Sequence, residues 1–172
     1  MKKYLMEFIG TFFLVLAIAL TGKAIAIGLM LGIMVYLGGH ISGAHYNPAV
    51  TLMMGLRNKM KPLEMVGYML FQLFGAFCAA SISFVVTGSY FIPKPEANIL
   101  LWKALIIEAL FTFVLCSVVY TVAKGEAFKG SYVYGFAIGL TLTAIVFAGG
   151  HISGGCYNHA VAFGPMIFSW MK

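Results

Sequence analysis

Gly38-Gly39-His40-Ile41-Ser42-Gly43-Ala44-His45-Tyr46-Asn47-Pro48-Ala49-Val50 returns 111 residues later as Gly149-Gly150-His151-Ile152-Ser153-Gly154-Gly155-Cys156-Tyr157-Asn158-His159-Ala160-Val161, with ten of thirteen positions identical. A shared packing need does not hold a His, a Ser and an Asn together at one spacing. The chain therefore reads as two copies of one unit, each built around a polar, Gly-rich stretch inside apolar sequence.

Working outward, 62% of the 172 residues are hydrophobic, 9% are charged, and Asp is absent. A soluble domain carries roughly 25% charged residues. Lipid is thus the solvent for most of this surface, and the class is a polytopic all-α membrane protein. The net charge of +6 is scattered over span ends, where the cytoplasmic leaflet attracts Lys and Arg, so it marks no nucleic-acid surface. Cys78, Cys116 and Cys156 form no disulfide or metal-like pattern. No cofactor or metal is expected.

A helical span needs about 20 apolar residues. Apolar sequence predicts spans at 4–21, 24–37, 63–87, 99–123 and 131–148, with polar loops after 37 and 148 and a polar turn at 124–130. The stretches 48–56 and 159–170 are too short to cross: at 1.5 Å per residue they reach about half the bilayer core. Two half-helices meeting end to end from opposite faces would equal one span. Irregular backbone at that depth is tolerated only where protein encloses it or where it lines a wet cavity. The repeats are assigned to residues 1–90 and 98–172 of a single channel domain.

Lys2, Lys3, Arg57, Lys59, Lys61, Lys124 and Lys129 fall on one side of these spans, and Lys23, Lys94, Lys103 and Lys172 on the other. That excess predicts a cytoplasmic N-terminus. Glu7 opens the first copy going outward and Glu108 the second going inward, so the repeats are inverted.

Asn47-Pro48-Ala49, preceded by His40-Ile41-Ser42-Gly43 and His45, together with Glu7-Phe8-Ile9-Gly10-Thr11-Phe12, resembles the aquaporin or major intrinsic protein family over nearly the whole chain. The resemblance implies an aquaporin-like inverted repeat, here with about five transmembrane helices legible, and two re-entrant half-helices meeting at mid-membrane. It implies a passive channel for water or small uncharged solutes, a homotetramer, and residence in the plasma membrane. Its pore centre would comprise Asn47, Pro48, Ala49, Asn158, His159 and Ala160. His45 and Cys156 would line the pore, and Glu7 and Glu108 would hold the two loops. Two helix N-termini, each with about half a positive charge, would repel cations and break a proton wire, while the Asn amides donate to a passing oxygen.

Three departures from the family pattern stand out. The second box reads Asn158-His159-Ala160, which would make the pore centre more polar. Val161 occupies the place where the family has an Arg, so the expected selectivity ring is Ile27, Val146, Gly155 and Val161, without a charge. Five spans are legible where the family has six. The groove of the sixth would be closed by lipid, by a neighbouring subunit, or by rearrangement of residues 159–170. These departures keep a second reading open, a non-conducting or truncated member with a structural role. An intramembrane enzyme finds no acid or nucleophile to pair with His45, His151 or His159. A secondary transporter would use Glu7 or Glu108 as a coupling carboxylate. Gly28 and Gly139 occupy equivalent places in the two copies and predict a close helix crossing.

Overall fold

The computed structural model describes residues 1–125, 128 and 131–171. Lys129, Lys172 and most of the predicted turn at 124–130 lie outside the described residues. Among the described residues seven α-helices follow in order: α1 Lys2–Thr21, α2 Ala24–Ser42, α3 Pro48–Asn58, α4 Pro62–Thr87, α5 Leu101–Lys124, α6 Tyr134–Ser153 and α7 His159–Trp170. Among the described residues, five are long and apolar enough to cross a membrane. α3 and α7, at 11 and 12 residues, reach only about 17–18 Å.

The predicted loops are shorter than the sequence suggests. α2 continues through Gly38-Gly39-His40-Ile41-Ser42, and α6 through Gly149-Gly150-His151-Ile152-Ser153. His40 and His151 therefore sit on last helical turns and are exposed. The glycine pairs are not helix breakers here. The first of each pair makes room for side chains: a Cβ on Gly38 would stand 1.8 Å from the Tyr46 hydroxyl, and one on Gly149 2.5 Å from the Phe111 ring and 2.8 Å from the Tyr157 hydroxyl. Each helix stops one residue after its Ser, at Gly43 (φ 87°) and Gly154 (φ 94°), in the left-handed region glycine favours.

The inverted repeat is visible in the packing. α1 with α2 matches α5 with α6, and α3 matches α7. The copies meet where α2 crosses α6. A Cβ on Gly28 would lie 2.3 Å from the Gly139 carbonyl, and one on Gly139 2.4 Å from the Gly28 carbonyl. Backbones can come that close only without side chains between them. α4 packs against α1 and α7, with Gly75 on the backbone of Phe8 and Gly164 on that of Ala76. The core on the pore side gathers Leu14, Ile27, Leu31, Val50, Leu115, Ile138 and Leu142.

Candidate functional site

α3 and α7 begin the same way. Asn47 and Asn158 are N-caps with extended backbone (φ −154° and −156°), and each Oδ1 accepts from the backbone N–H two residues on, Ala49 or Ala160, at 2.9 Å. Pro48 takes the first helical position of α3, where its missing N–H costs nothing. Each Asn also reaches the opposite copy. Asn47 Nδ2 donates to the Tyr157 carbonyl and Asn158 Nδ2 to the Tyr46 carbonyl, both at 2.8 Å. Capping thus uses the oxygen, loop joining uses one amide hydrogen, and one hydrogen per Asn remains. These bonds also engage the Tyr46 and Tyr157 loop carbonyls.

Tyr46 and Tyr157 hold left-handed backbone, φ 49° and 45°. Such a conformation costs a non-glycine residue about 1–3 kcal/mol and persists only where surroundings impose it. Here each ring hydroxyl donates back to its own repeat, Tyr46 to the Met34 carbonyl (2.9 Å) and Tyr157 to that of Ile145 (3.1 Å). The backbone N–H groups of the loops then point at the two helix-borne carboxyls.

Glu7 accepts four hydrogen bonds: Ser42 Oγ at 2.6 Å, His45 N at 3.0 Å, Tyr46 N at 2.7 Å and Gln72 Nε2 at 2.7 Å. Gln72 Nε2 also donates to Thr51 Oγ1 (2.8 Å), which contacts His45 Nδ1 at 3.2 Å. Glu108 accepts three, from Ser153 Oγ (2.5 Å), Cys156 N (3.1 Å) and Tyr157 N (2.7 Å). The sequence reading had no place for Gln72, Thr51 or the tyrosines. Gln72 carried a usable signal: it is the chain's one glutamine, set in an apolar span, where a polar side chain is functional by default.

A narrow cavity of about 20 Å³ lies between the half-helix tips, lined by His45, Asn47, Cys156, Asn158, Gly155 and a wall of aliphatic side chains that includes Ile27, Val50 and Val161. That volume accommodates about one water. Two wider spaces of about 830 Å³ flank it. One, on the side of Lys23, Phe91 and His151, shares Ile18, Ile27 and Gly155 with the cavity. The other, on the side of Asn58, Glu64 and Tyr132, shares Ala44, His45, Val119 and Ile138. Hence a vestibule, a constriction and a second vestibule run through the molecule past both Asn residues.

Not every predicted site residue comes to this line. Ile27, Gly155 and Val161 reach the central cavity; Val146 lines only the vestibule beyond it. Pro48, Ala49, His159 and Ala160 do not line it. His159 is a correction: it is exposed and its ring runs alongside Phe163, so it does not make the pore centre more polar. The reason is helical phase. Val161, two residues on, faces the cavity, and two residues turn a helix by about 200°.

The model of the family described as Major intrinsic protein matches residues 1–171. The chain belongs to the major intrinsic protein family. It is therefore a membrane channel-family protein for water or small solutes and not an enzyme. Glycerol uptake facilitator protein-like 6 of Lactiplantibacillus plantarum is 32% identical, with 98% of this chain and 85% of the relative covered. Aquaporin-8 of Mus musculus is 34% identical over 85% of this chain and 59% of its own length. In fold, the chain is similar to the aquaglyceroporin from Plasmodium falciparum, with a TM-score of 0.83, 23% identity, and coverage of 99% of this chain and 81% of that one.

Proposed function

We propose that small uncharged solutes pass in single file from one vestibule to the other through the cavity between Asn47 and Asn158. The observation that carries this reading is the alignment of two vestibules with one constriction at the tips of α3 and α7. Each Asn keeps one N–H to offer a passing oxygen, and two helix N-termini disfavour cations there. The constriction takes its selectivity from aliphatic side chains, with Ile27, Val161 and Gly155 at the neck and Val146 just beyond. Among the described residues no charged side chain lines the cavity, so no side-chain charge there compensates a cation for its lost hydration. Water, ammonia and slender polyols such as glycerol are the solutes to compare. The two structural repeats, 1–90 and 98–172, form one channel domain, and the lysine distribution supports a cytoplasmic N-terminus. A homotetramer in the plasma membrane follows from the family resemblance.

Stopped-flow measurements on proteoliposomes, run with water, glycerol and ammonia gradients, test the reading. Solute flux above bare lipid without proton leak is the expected result; flux equal to bare lipid for all three overturns it. One observation favours a non-conducting structural member instead: among the described residues Glu108 has three donors where Glu7 has four, so the second loop is held less completely.

A further inference from the structure

Glu7 orders more than its loop. Its oxygens each accept two hydrogen bonds, Oε1 from Ser42 and the His45 N–H, Oε2 from the Tyr46 N–H and Gln72. These fill the lone-pair positions of an ionised carboxylate. Gln72 must therefore turn its NH2 toward Glu7, because the reversed amide would set two acceptor oxygens 2.7 Å apart. The consequence of that orientation is visible. Among the described residues Gln72 Oε1 is the one buried side-chain polar atom without a partner, and a stranded acceptor calls for a reason. The reason is on the other side of the amide, whose second N–H is held on Thr51 Oγ1 at 2.8 Å.

The order propagates. Thr51 Oγ1 accepts from Gln72, so its own hydrogen must go elsewhere. Thr11, Thr21, Thr87 and Thr121 return theirs to the carbonyl four residues back. Thr51 makes no such bond among the described residues, and the acceptor within its reach is His45 Nδ1 at 3.2 Å. An imidazole that accepts at Nδ1 is neutral and carries its hydrogen on Nε2. Nε2 itself has no partner among the described residues, yet it is not sealed in. It lies beside Gly43, where a Cβ would be 3.4 Å away, and Gly43 lines the vestibule of Glu64 and Tyr132. The ring borders that vestibule and the central cavity together, with Tyr68 against it at 5.2 Å. In the second copy Cys156 and Ala162 stand at the places of His45 and Thr51, so the relay belongs to the first copy, although Glu, Ser, Tyr and Asn repeat.

We propose that Glu7, acting through Gln72 and Thr51, fixes the tautomer of His45, so that the ring turns an Nε2–H donor to the solute path and its basic nitrogen inward. Gln72 and Thr51 are thereby positioning residues for permeation, and that last step rests on the permeation reading. The nitrogen facing the path offers a hydrogen to a solute oxygen, as the Asn amides do. It has no lone pair with which to take a proton from a file of water.

The full chain, with His40, His151 and His159 changed to Gln and the His45 ring nitrogens isotopically labelled, is reconstituted in lipid vesicles and observed by solid-state NMR. The three replaced residues are exposed, and His45 is then the one ring observed. The expected spectrum has a hydrogen on Nε2 and none on Nδ1, with Nδ1 close to the Thr51 hydroxyl hydrogen. Gln72→Glu should reverse the order. A single acidic hydrogen bridges to Glu7, and the oxygen left facing Thr51 accepts where the amide donated. The Thr51 hydrogen then turns to residue 72, and the His45 hydrogen should move to Nδ1, from none of the signal to most of it. Thr51→Val keeps the shape and removes the hydroxyl, so it should strip Nδ1 of its bond and shift that resonance downfield; Thr51→Ser should restore it. A hydrogen on Nδ1 with Gln72 and Thr51 intact overturns the proposal, whether the ring is neutral or charged. So does an Nδ1 resonance that Thr51→Val leaves unmoved, or an Nε2 hydrogen that persists in Gln72→Glu. The spectrum of the chain with both residues intact decides even if the substituted chains do not reconstitute. No solute flux is needed for the readout, so its failure is distinct from a failure of permeation.

Discussion

Glu7 is fully enclosed and accepts from two backbone N–H groups, a hydroxyl and an amide; Glu108 accepts from two backbone N–H groups and a hydroxyl, with one side open. Around them the loops are nearly superimposable in chemistry: Ser, left-handed Tyr and capping Asn recur with the same partners. The two copies thus share the part that shapes the pore and differ in what holds it from behind. The Ser, Tyr and Asn contacts that shape the loops repeat, while the cavity lining differs at Ala44 and Gly155 and at His45 and Cys156, and the backing differs at Gln72.

Unequal support predicts unequal damage. Glu7→Ala strands the His45 and Tyr46 N–H groups, Ser42 and Gln72 in a sealed site, and should lower stability by more than about 4 kcal/mol. Thermal unfolding in detergent, set beside Glu108→Ala, checks this; the second substitution should cost clearly less because it strands two N–H groups and a hydroxyl in a site that is only half-buried. Equal losses would break the comparison.

Next in size are the glycines at the crossing of α2 and α6. Gly28→Ala and Gly139→Ala each drive a methyl into a carbonyl of the other copy, and each should destabilise by about 1–3 kcal/mol. Here the copies are equivalent, so the two midpoints should fall together in the same unfolding assay.

Asn47→Ala and Asn158→Ala each remove a cap, worth about 1 kcal/mol, and one bond between the loops. Similar drops in stability and in solute flux are expected from both. A large difference between them would mean that the tips are not equivalent.

The smallest effect is reserved for His159→Pro, which makes the second box match the first. Because His159 is exposed and lines no part of the cavity, water and ammonia flux should stay within about two-fold of the unsubstituted chain, a change below about 0.5 kcal/mol in barrier. Stopped-flow light scattering measures it.

The duplicated thirteen-residue stretch made the inverted repeat, the half-helices and the two Asn tips legible before any coordinates. Its glycine pairs misled on helix length, since Gly38 makes room for Tyr46, and Gly149 for Phe111, Ile107 and Tyr157, and neither makes a bend. Left-handed backbone at Tyr46 and Tyr157 runs against residue preference and is held by Glu7 and Glu108, which capture their N–H groups, and by the bonds of their ring hydroxyls. His159 was misplaced through neglect of helical phase, which the sequence did contain. Gln72 needed its three-dimensional neighbours: nothing local says that an amide on α4 meets a carboxyl 65 residues earlier.

The central claim is that solute crosses between the two tips, past Val50 and Val161. Either Val50→Trp or Val161→Trp should fill the cavity of about 20 Å³ and bring osmotic water flux in proteoliposomes to the bare-lipid value, with unchanged elution and unfolding profiles confirming the fold. Water flux that survives either plug in a folded protein would contradict the account.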